Sequence, residues 1–325
     1  MSSPAAAPAP TAASITRVPA EAPLVDCMGG SSHHEIKVHE HGFIALVDAM
    51  PRLVPQGQTA DFAIVQAARV SYGQGTKQIN EDRGLIRYLL RHRHTTPFEM
   101  VEFKFHVSMP IFVARQWIRH RTANVNEYSA RYSIMPDRFY VPPMDANRKQ
   151  SSANRQGGEE VFDVSTARQT PATSAFPQEE LRTAEEFLTY LKDVETFYTR
   201  YLALAERGVS RELARIGLPV NMYTQWYWKS DLHNILRFLS LRMDSHAQAE
   251  IRAYAAAMEA LLMPLVPHTL EAWRDYEWES LRLTRLEVEA LRRWKGGGSL
   301  ELETSNKREQ AEWSEKCRTL GLSNT

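Results

Sequence analysis

One stretch constrains the fold of this chain more than any other: Met109 to Ser133, MPIFVARQWIRHRTANVNEYSARYS. Pro110 and the apolar run Ile111, Phe112, Val113 and Ala114 require a helix driven into a core. Beyond them stand Arg115, Arg119, Arg121 and Arg131, with Glu127 the one acidic residue among them. Guanidinium forks match phosphate oxygens two at a time, so arginines with so little local neutralisation suit an anionic ligand. A charge run more often marks a solvated helix end. Here Gln116, Trp117, Asn124, Asn126, Tyr128 and Ser129 interleave aromatic faces and hydrogen-bonding groups with the charges, which a merely solvated face does not need.

With 325 residues the chain can bury a substantial core, as one large domain or two small ones. Lys plus Arg number 39 and Asp plus Glu number 39, so no global field draws it to nucleic acid or a membrane surface. Neither is expected as a partner, and the local arginine grouping carries the information. No run of about 18 apolar residues is present. The first residues lack the basic start and apolar core of a secretory signal. Cys27 and Cys317 fall in regions expected to be unfolded. Disulfides, a cysteine-rich metal site and an activated core thiol are all disfavoured, and a reducing, cytoplasmic setting fits.

Residues 1–35, rich in Ala, Pro and Ser, are expected to form a disordered tail. The folded domain is expected over 36–285. Within it Phe43 to Asp48 reads as a weak strand, and Asp61–Val70 and Glu81–His92 as helices, the second with Leu85, Tyr88 and Leu89 on one face. Val101 to Val107 alternates apolar residues with Glu102, Lys104 and His106, a strand with one wet or site-facing side. Residues 146–177 are polar and broken by glycine and proline, and are expected to form a flexible insertion. Gln178–Arg207 is the longest helix, with Gly208 as its stop. Ser210 is placed to cap Arg211–Ile216. Met222–Trp228 reads as a strand, and Asp231–Arg242 and Ser245–Met263 as helices joined at Met243-Asp244. Residues 286–325 are expected to be a charged tail, disordered in the polar stretch that follows Gly296-Gly297-Gly298. Helices outnumber strands without the alternation of doubly wound folds, so the class is α+β, a mixed sheet flanked by helices.

The triplet Arg119-His120-Arg121 followed by Ser129, Arg131 and Tyr132 resembles the RHR-x7-S-x-RY motif of the flavin-dependent thymidylate synthases. HTTPFEM and VEFKFHV upstream, and SRELARIGLPVNMYTQWYW and DLHNILRFLSLRMDSHAQAEIRAYA downstream, resemble further blocks of that family in its order. Together they cover roughly residues 42–140 and 179–267. The resemblance implies a catalytic domain that reductively methylates dUMP to dTMP. It implies FAD as cofactor, methylenetetrahydrofolate as carbon donor and NADPH as reductant. It also implies a homotetramer whose sites are shared between subunits. The rival readings are a non-catalytic nucleotide- or RNA-binding protein, which needs a basic face, and a thiol-dependent synthase, which needs a core cysteine.

Each candidate residue has a plain structural alternative. Ser129, Ala130 and Arg131 suit a phosphate cradle, a turn satisfied by its own backbone, or, for Ser129, a nucleophile still lacking an oriented base. The resemblance selects dUMP binding and adds Gln116, Arg119 and Glu127. Arg215 either snorkels beside Leu213 and Ile216 or, by resemblance, serves as a second substrate arginine. Arg242 follows an apolar run and needs a partner. That partner is either Asp244 or, by resemblance, the uracil ring, where it acts as the catalytic cation. Asp231 reads equally as a helix cap or a ligand. By resemblance Thr96, Arg119, His120, Arg121, Glu127, Asp231, His233 and Arg237 contact FAD. His94 and His246 are metal ligands by type but have no supporting cluster, so no metal is expected.

Overall fold

The computed structural model describes residues 23–29, 34–70, 82–150, 158–163 and 175–323. Strands β1 (Leu24–Asp26), β2 (His34–Val38), β3 (Gly42–Met50) and β4 (Leu53–Pro55) come first. Helices α1 (Asp61–Arg69), α2 (Asp82–Arg91) and the single turn α3 (Thr96–Glu99) precede β5 (Glu102–Pro110). That strand runs directly into α4 (Ile111–Trp117) and then β6 (Asn124–Glu127). The paired strands β7 (Arg148–Gln150) and β8 (Gly158–Val161) lead to the 32-residue helix α5 (Ala175–Glu206) and to α6 (Arg211–Ala214). Next come β9 (Tyr223–Asp231), α7 (Leu232–Arg242), α8 (Ala249–Leu262) and α9 (Pro267–Trp273).

A five-stranded sheet, β2-β3-β5-β9-β6, is antiparallel at every pairing. The α+β class holds, while the sheet expected to be mixed is not; strand direction is set by pairing across the fold, which no single strand pattern encodes. Alternation in β5 is clear. Phe103, Phe105, Val107 and Met109 are fully buried. On the opposite side Lys104 reaches Asp48 at 3.3 Å, and His106 stacks on Tyr227 at 4.8 Å. Helix α8 packs on β2 and β3, α7 on α8 and α3, and α9 on α1 and α2. Gly42 is dictated by this packing, since a Cβ there would stand 2.1 Å from the Tyr254 hydroxyl.

Trp117, at the end of α4, is fully buried. Its ring centroid lies 4.6 Å from Phe238 on α7, 5.7 Å from Trp228 and 5.9 Å from Trp226 on β9, and 6.1 Å from Tyr254 on α8. One side chain thus ties the arginine-bearing helix to the central sheet and to both covering helices.

Several local expectations change. Ile86, Leu89 and Leu90 are the buried face of α2, and Tyr88 is exposed, because α2 packs against α9 as well as α1. Gly208 does end α5, at φ +91°, with Val209 N–H on Leu204 C=O and Gly208 N–H on Ala205 C=O. Ser210 precedes α6 but its hydroxyl makes no cap bond. The loop between α7 and α8 extends from Met243 to Gln248. Residues 24–26 and 34–35, assigned to the first tail, are in strands, β1 pairing with β4 and β2 with β3. Residues 1–22 and 30–33 lie outside the described residues, as do 151–157 and 164–174 of the insertion. Residues 148–150 and 158–161 of that insertion form a β ladder.

Arg274–Thr325 is a separate compact unit. After a π-helical turn at Arg274–Trp278 it contains α10 (Arg285–Lys295) and α11 (Lys307–Thr319). The tail expected to be disordered therefore folds. Ala290, Leu300, Leu302, Trp313 and Cys317 bury a small core. Thr284 and Glu287 form a capping box, and Lys316 pairs with the buried Glu287 at 2.8 Å. Five apolar residues scattered among charges and a triple glycine give no periodic signal, yet the turn between the helices brings them together.

Replacing Trp117 with alanine removes the hub of these aromatic contacts. The expected loss is about 3–5 kcal/mol of unfolding free energy, read from the denaturant midpoint of the parent and the variant. An unchanged midpoint would show that α4 is held by something else.

Candidate active site

Helix α4 emerges from the core because Ile111 and Phe112 donate their backbone N–H groups to Met222 and Val220 carbonyls, both at 2.9 Å, while Trp117 is buried. That anchoring leaves Arg115, Arg119 and Arg121 exposed, and none of the three has a carboxylate partner among the described residues. His120 turns inward against Phe238, 4.9 Å between centroids.

Arg242, the last residue of α7, meets the RHR triplet here. Its Nε donates to His120 Nε2 at 3.0 Å and its Nη2 to the Gln116 carbonyl at 3.1 Å. Accepting at Nε2 places the imidazole proton on Nδ1. Burial first, then Arg242 and Arg237, hold the His120 pKa down to about 4, so the ring is a neutral acceptor at pH 7. Both acceptors on Arg242 are neutral, and burial lowers its own basicity. Asp244, the partner weighed from sequence, is turned to His246, whose N–H and Nδ1 both lie 2.8 Å from Oδ1. A short loop lets Asp244 satisfy its own turn instead. A half-buried guanidinium thus keeps its charge uncompensated by any carboxylate among the described residues.

Gln116 also donates its side-chain amide to Gln248, at the start of α8. Gln248 was not singled out from sequence, although it lies in the matching block SHAQAEIRAYA. Its place beside Gln116 depends on the α4–α8 packing alone.

A second cluster surrounds Ser129. Ser129 Oγ accepts from Arg131 N–H at 3.3 Å, so the turn is satisfied by its own backbone. The N–H groups of Ser129 and Ala130 donate to no acceptor among the described residues. Arg131 Nε is held by Glu212 of α6 at 2.9 Å, and Arg211 donates to the Tyr132 carbonyl. These bonds carry the Ser129–Arg131 turn to the segment that holds Arg215, in a 3-10 turn at Arg215–Gly217. Leu213 and Ile216, proposed as cover for its stem, are 59% and 75% exposed. Glu127, at the end of β6, accepts from Thr224 at 2.8 Å. Glu212 and Thr224 were also missed, since only folding places them. No base is oriented on Ser129 among the described residues. Among the described residues no hydrogen bond or ion pair joins this cluster to the one around Arg242.

Of the residues matched to FAD, His120 and Arg237 come together, and Thr96 is exposed on α3, which packs against α7. Asp231 is the N-cap of α7. Its two oxygens accept from Asn234 N–H at 2.9 Å and from Asn234 Nδ2 at 2.8 Å. Asp231 therefore builds the helix start from which His233 and Arg237 project. Arg119, Arg121 and Arg237 are exposed guanidiniums, the residue type that pairs with phosphate oxygens two at a time.

Both thiols are poor nucleophiles. Burial, aided by Asp26, raises Cys27 to about 11, and burial raises Cys317. Cys317 is in the small core of α10 and α11, so its inertness comes from being buried there. Among the described residues no group of three or more His, Cys, Asp or Glu could hold a metal, and no helix is long and apolar enough to cross a membrane.

His120 generates a titration prediction. Its folded pKa of about 4 lies below the ordinary 6.5. Between those values the unfolded chain binds the extra proton. The stability linked to His120 is therefore complete above 6.5 and is lost as pH falls through about 4. Imidazole NMR is expected to show this midpoint in the parent and a partial rise in Arg242→Ala, because burial remains. A parent midpoint near 6.5 would contradict the buried, cation-flanked placement.

The family model described as thymidylate synthase complementing protein matches residues 52–268. A flavin-dependent thymidylate synthase of Dictyostelium discoideum is 60% identical over 306 residues, covering 94% of each chain. One from Gluconobacter oxydans is 48% identical, covering 92% of this chain and 91% of its own. Crystal structures of the UMP/dUMP methylase PolB from Streptomyces cacaoi, bound with 5-Br UMP and with 5-Br dUMP, are 32% identical. Their TM-scores are 0.54 and 0.56, and they cover 74% of this chain and 97% and 98% of their own. With the arginine clusters of its fold and relatives of this identity along most of its length, the chain belongs to the flavin-dependent thymidylate synthase family.

Proposed function

We propose that this chain is a homotetrameric thymidylate synthase that binds FAD and reductively methylates dUMP to dTMP, with methylenetetrahydrofolate as carbon donor and NADPH as reductant. The observation that carries the reading is Arg242, half-buried, fixed by neutral His120 and the Gln116 carbonyl, with no carboxylate opposing its charge. Such a cation is costly unless an anion, or a ring that becomes anionic, completes it. It therefore suits a uracil that gains negative charge as it is activated, with the stabilising charge already in place.

The chain's own residues divide the work. Ser129, the N–H groups of Ser129 and Ala130, and Arg131 hold the dUMP phosphate, with Arg119, Glu127 and Arg215 as further contacts and Gln116 near the base. The Arg131–Glu212 pair is half-exposed, 55% on each side, so releasing Arg131 to a phosphate costs little, about 0–1 kcal/mol. Thr96, Arg119, His120, Arg121, Glu127, His233 and Arg237 hold FAD, while Asp231 positions the last two. FAD, when bound, supplies the hydride chemistry that no side chain can. The homotetramer with sites shared between subunits rests on the family to which the chain belongs. Two free cysteines suit a reducing, cytoplasmic setting.

The purified protein is expected to be yellow, to release FAD on denaturation, and to form dTMP only with methylenetetrahydrofolate and NADPH both present. Arg242→Ala should keep the colour and lose about a hundredfold in turnover, the effect of removing about 3 kcal/mol of transition-state stabilisation. A colourless parent that takes up no added FAD would sink the function. Full turnover in the variant at saturating dUMP would sink the role of Arg242.

For Ser129 the two chemical roles separate kinetically. Loss of a hydroxyl that binds phosphate removes about 1.5–3 kcal/mol and raises KM for dUMP roughly ten- to 150-fold, leaving kcat largely intact. Ser129→Ala is therefore expected to recover at high dUMP. A variant that binds dUMP and flavin but stays dead at saturation would make Ser129 a nucleophile.

A further inference from the structure

Helix α5 has a surface that the proposed chemistry does not use. One face packs on this chain's own core through Leu191, Tyr198 and Tyr201, which are buried. On the flank of that face Tyr190, Phe197 and Leu204 recur at sevens and remain 60%, 47% and 39% exposed. A spacing of seven keeps them in one lane down the helix, as along a coiled-coil seam. Beside it runs a second lane at sevens, Glu186, Asp193 and Arg200, continued by Arg207 one residue past the helix end, where its Nε donates to the Ala203 carbonyl at 3.1 Å. All four are exposed, and among the described residues none is in a salt bridge.

Read from the N-terminus, the charged lane is minus, minus, plus, plus. A parallel copy would set like charges side by side. An antiparallel copy presents plus, plus, minus, minus, so the lane is complementary to itself about a two-fold axis between Asp193 and Arg200. Phe197 lies next to that axis. Both lanes therefore call for the same partner in the same orientation.

We propose that α5 is an interface to a second copy of this chain, packed antiparallel. Phe197 meets its counterpart at the axis, Tyr190 of one copy meets Leu204 of the other, and Glu186 and Asp193 face Arg207 and Arg200. The inference rests on the self-association in the functional reading and is independent of the nucleotide chemistry.

The test uses the full chain at neutral pH and low salt, with particle mass as the readout and circular dichroism confirming helical content. R200E with R207E makes the lane wholly acidic, and E186R with D193R makes it wholly basic. Each double variant alone is expected to halve the parent mass. An equimolar mixture of the two should regain it, and the fourfold swap should keep it. Helices packed about 8–10 Å apart bring residues at the axis within disulfide reach. F197C, in a chain carrying C27S and C317S, should therefore form a linked dimer on mild oxidation. Double variants that keep the parent mass, together with no F197C dimer, overturn the α5 interface and leave the tetramer standing. A parent that is monomeric at every concentration overturns both.

Discussion

Burial of Trp117 is the constraint on which the rest of this molecule depends. The indole ties α4 to β9, α7 and α8 at once, and so decides where the arginine run leaves the core. The arrangement has a cost. The indole N–H groups of Trp117, Trp226 and Trp228 are buried with no acceptor among the described residues, about 1–3 kcal/mol for each. Aromatic packing outweighs this because each ring buries a large apolar area and meets its neighbours edge-on or tilted.

The electrostatics of the site follow from that anchor. His120 is pulled beside Arg237 and Arg242, cannot hold a proton at neutral pH, and so becomes an acceptor that orients Arg242 without neutralising it. A carboxylate in the same place would stabilise the resting protein and cancel the charge needed for a ligand. Arg131, by contrast, rests in an exposed ion pair with Glu212, which holds the side chain loosely and at little cost. One cation is preorganised and the other is parked. This difference suits the roles proposed for them, charge stabilisation by Arg242 and phosphate capture by Arg131.

Helix termini show how tertiary packing redirects local chemistry. Asp231 caps its own helix, a role readable from its position before Leu232. Asp61 instead accepts the His268 and Thr269 N–H groups at the start of α9, 2.8 and 3.2 Å away, more than two hundred residues along the chain. Ser210 occupies the same kind of position as Asp231 and caps nothing with its side chain. The residue type permits a cap, and the surrounding fold decides which N–H groups are within reach.

The residues alone determined the alternation of β5, the length of α5 and its glycine stop, the helices either side of Met243, and the α+β class. These are periodic or strictly local signals. The RHR and Ser-Ala-Arg-Tyr groups were likewise legible as a dense run of arginines among aromatics, the basis of the anion site proposed for them. Four things needed the tertiary structure: the antiparallel direction of the whole sheet, the core that folds residues 285–319 around Trp313, the turn of Arg242 to His120 rather than Asp244, and the arrival of Gln248, Glu212 and Thr224 beside the matched residues. Each of these depends on contacts between residues far apart in the chain. A period of two or 3.6 residues says which face is buried, and carries no record of what that face will meet.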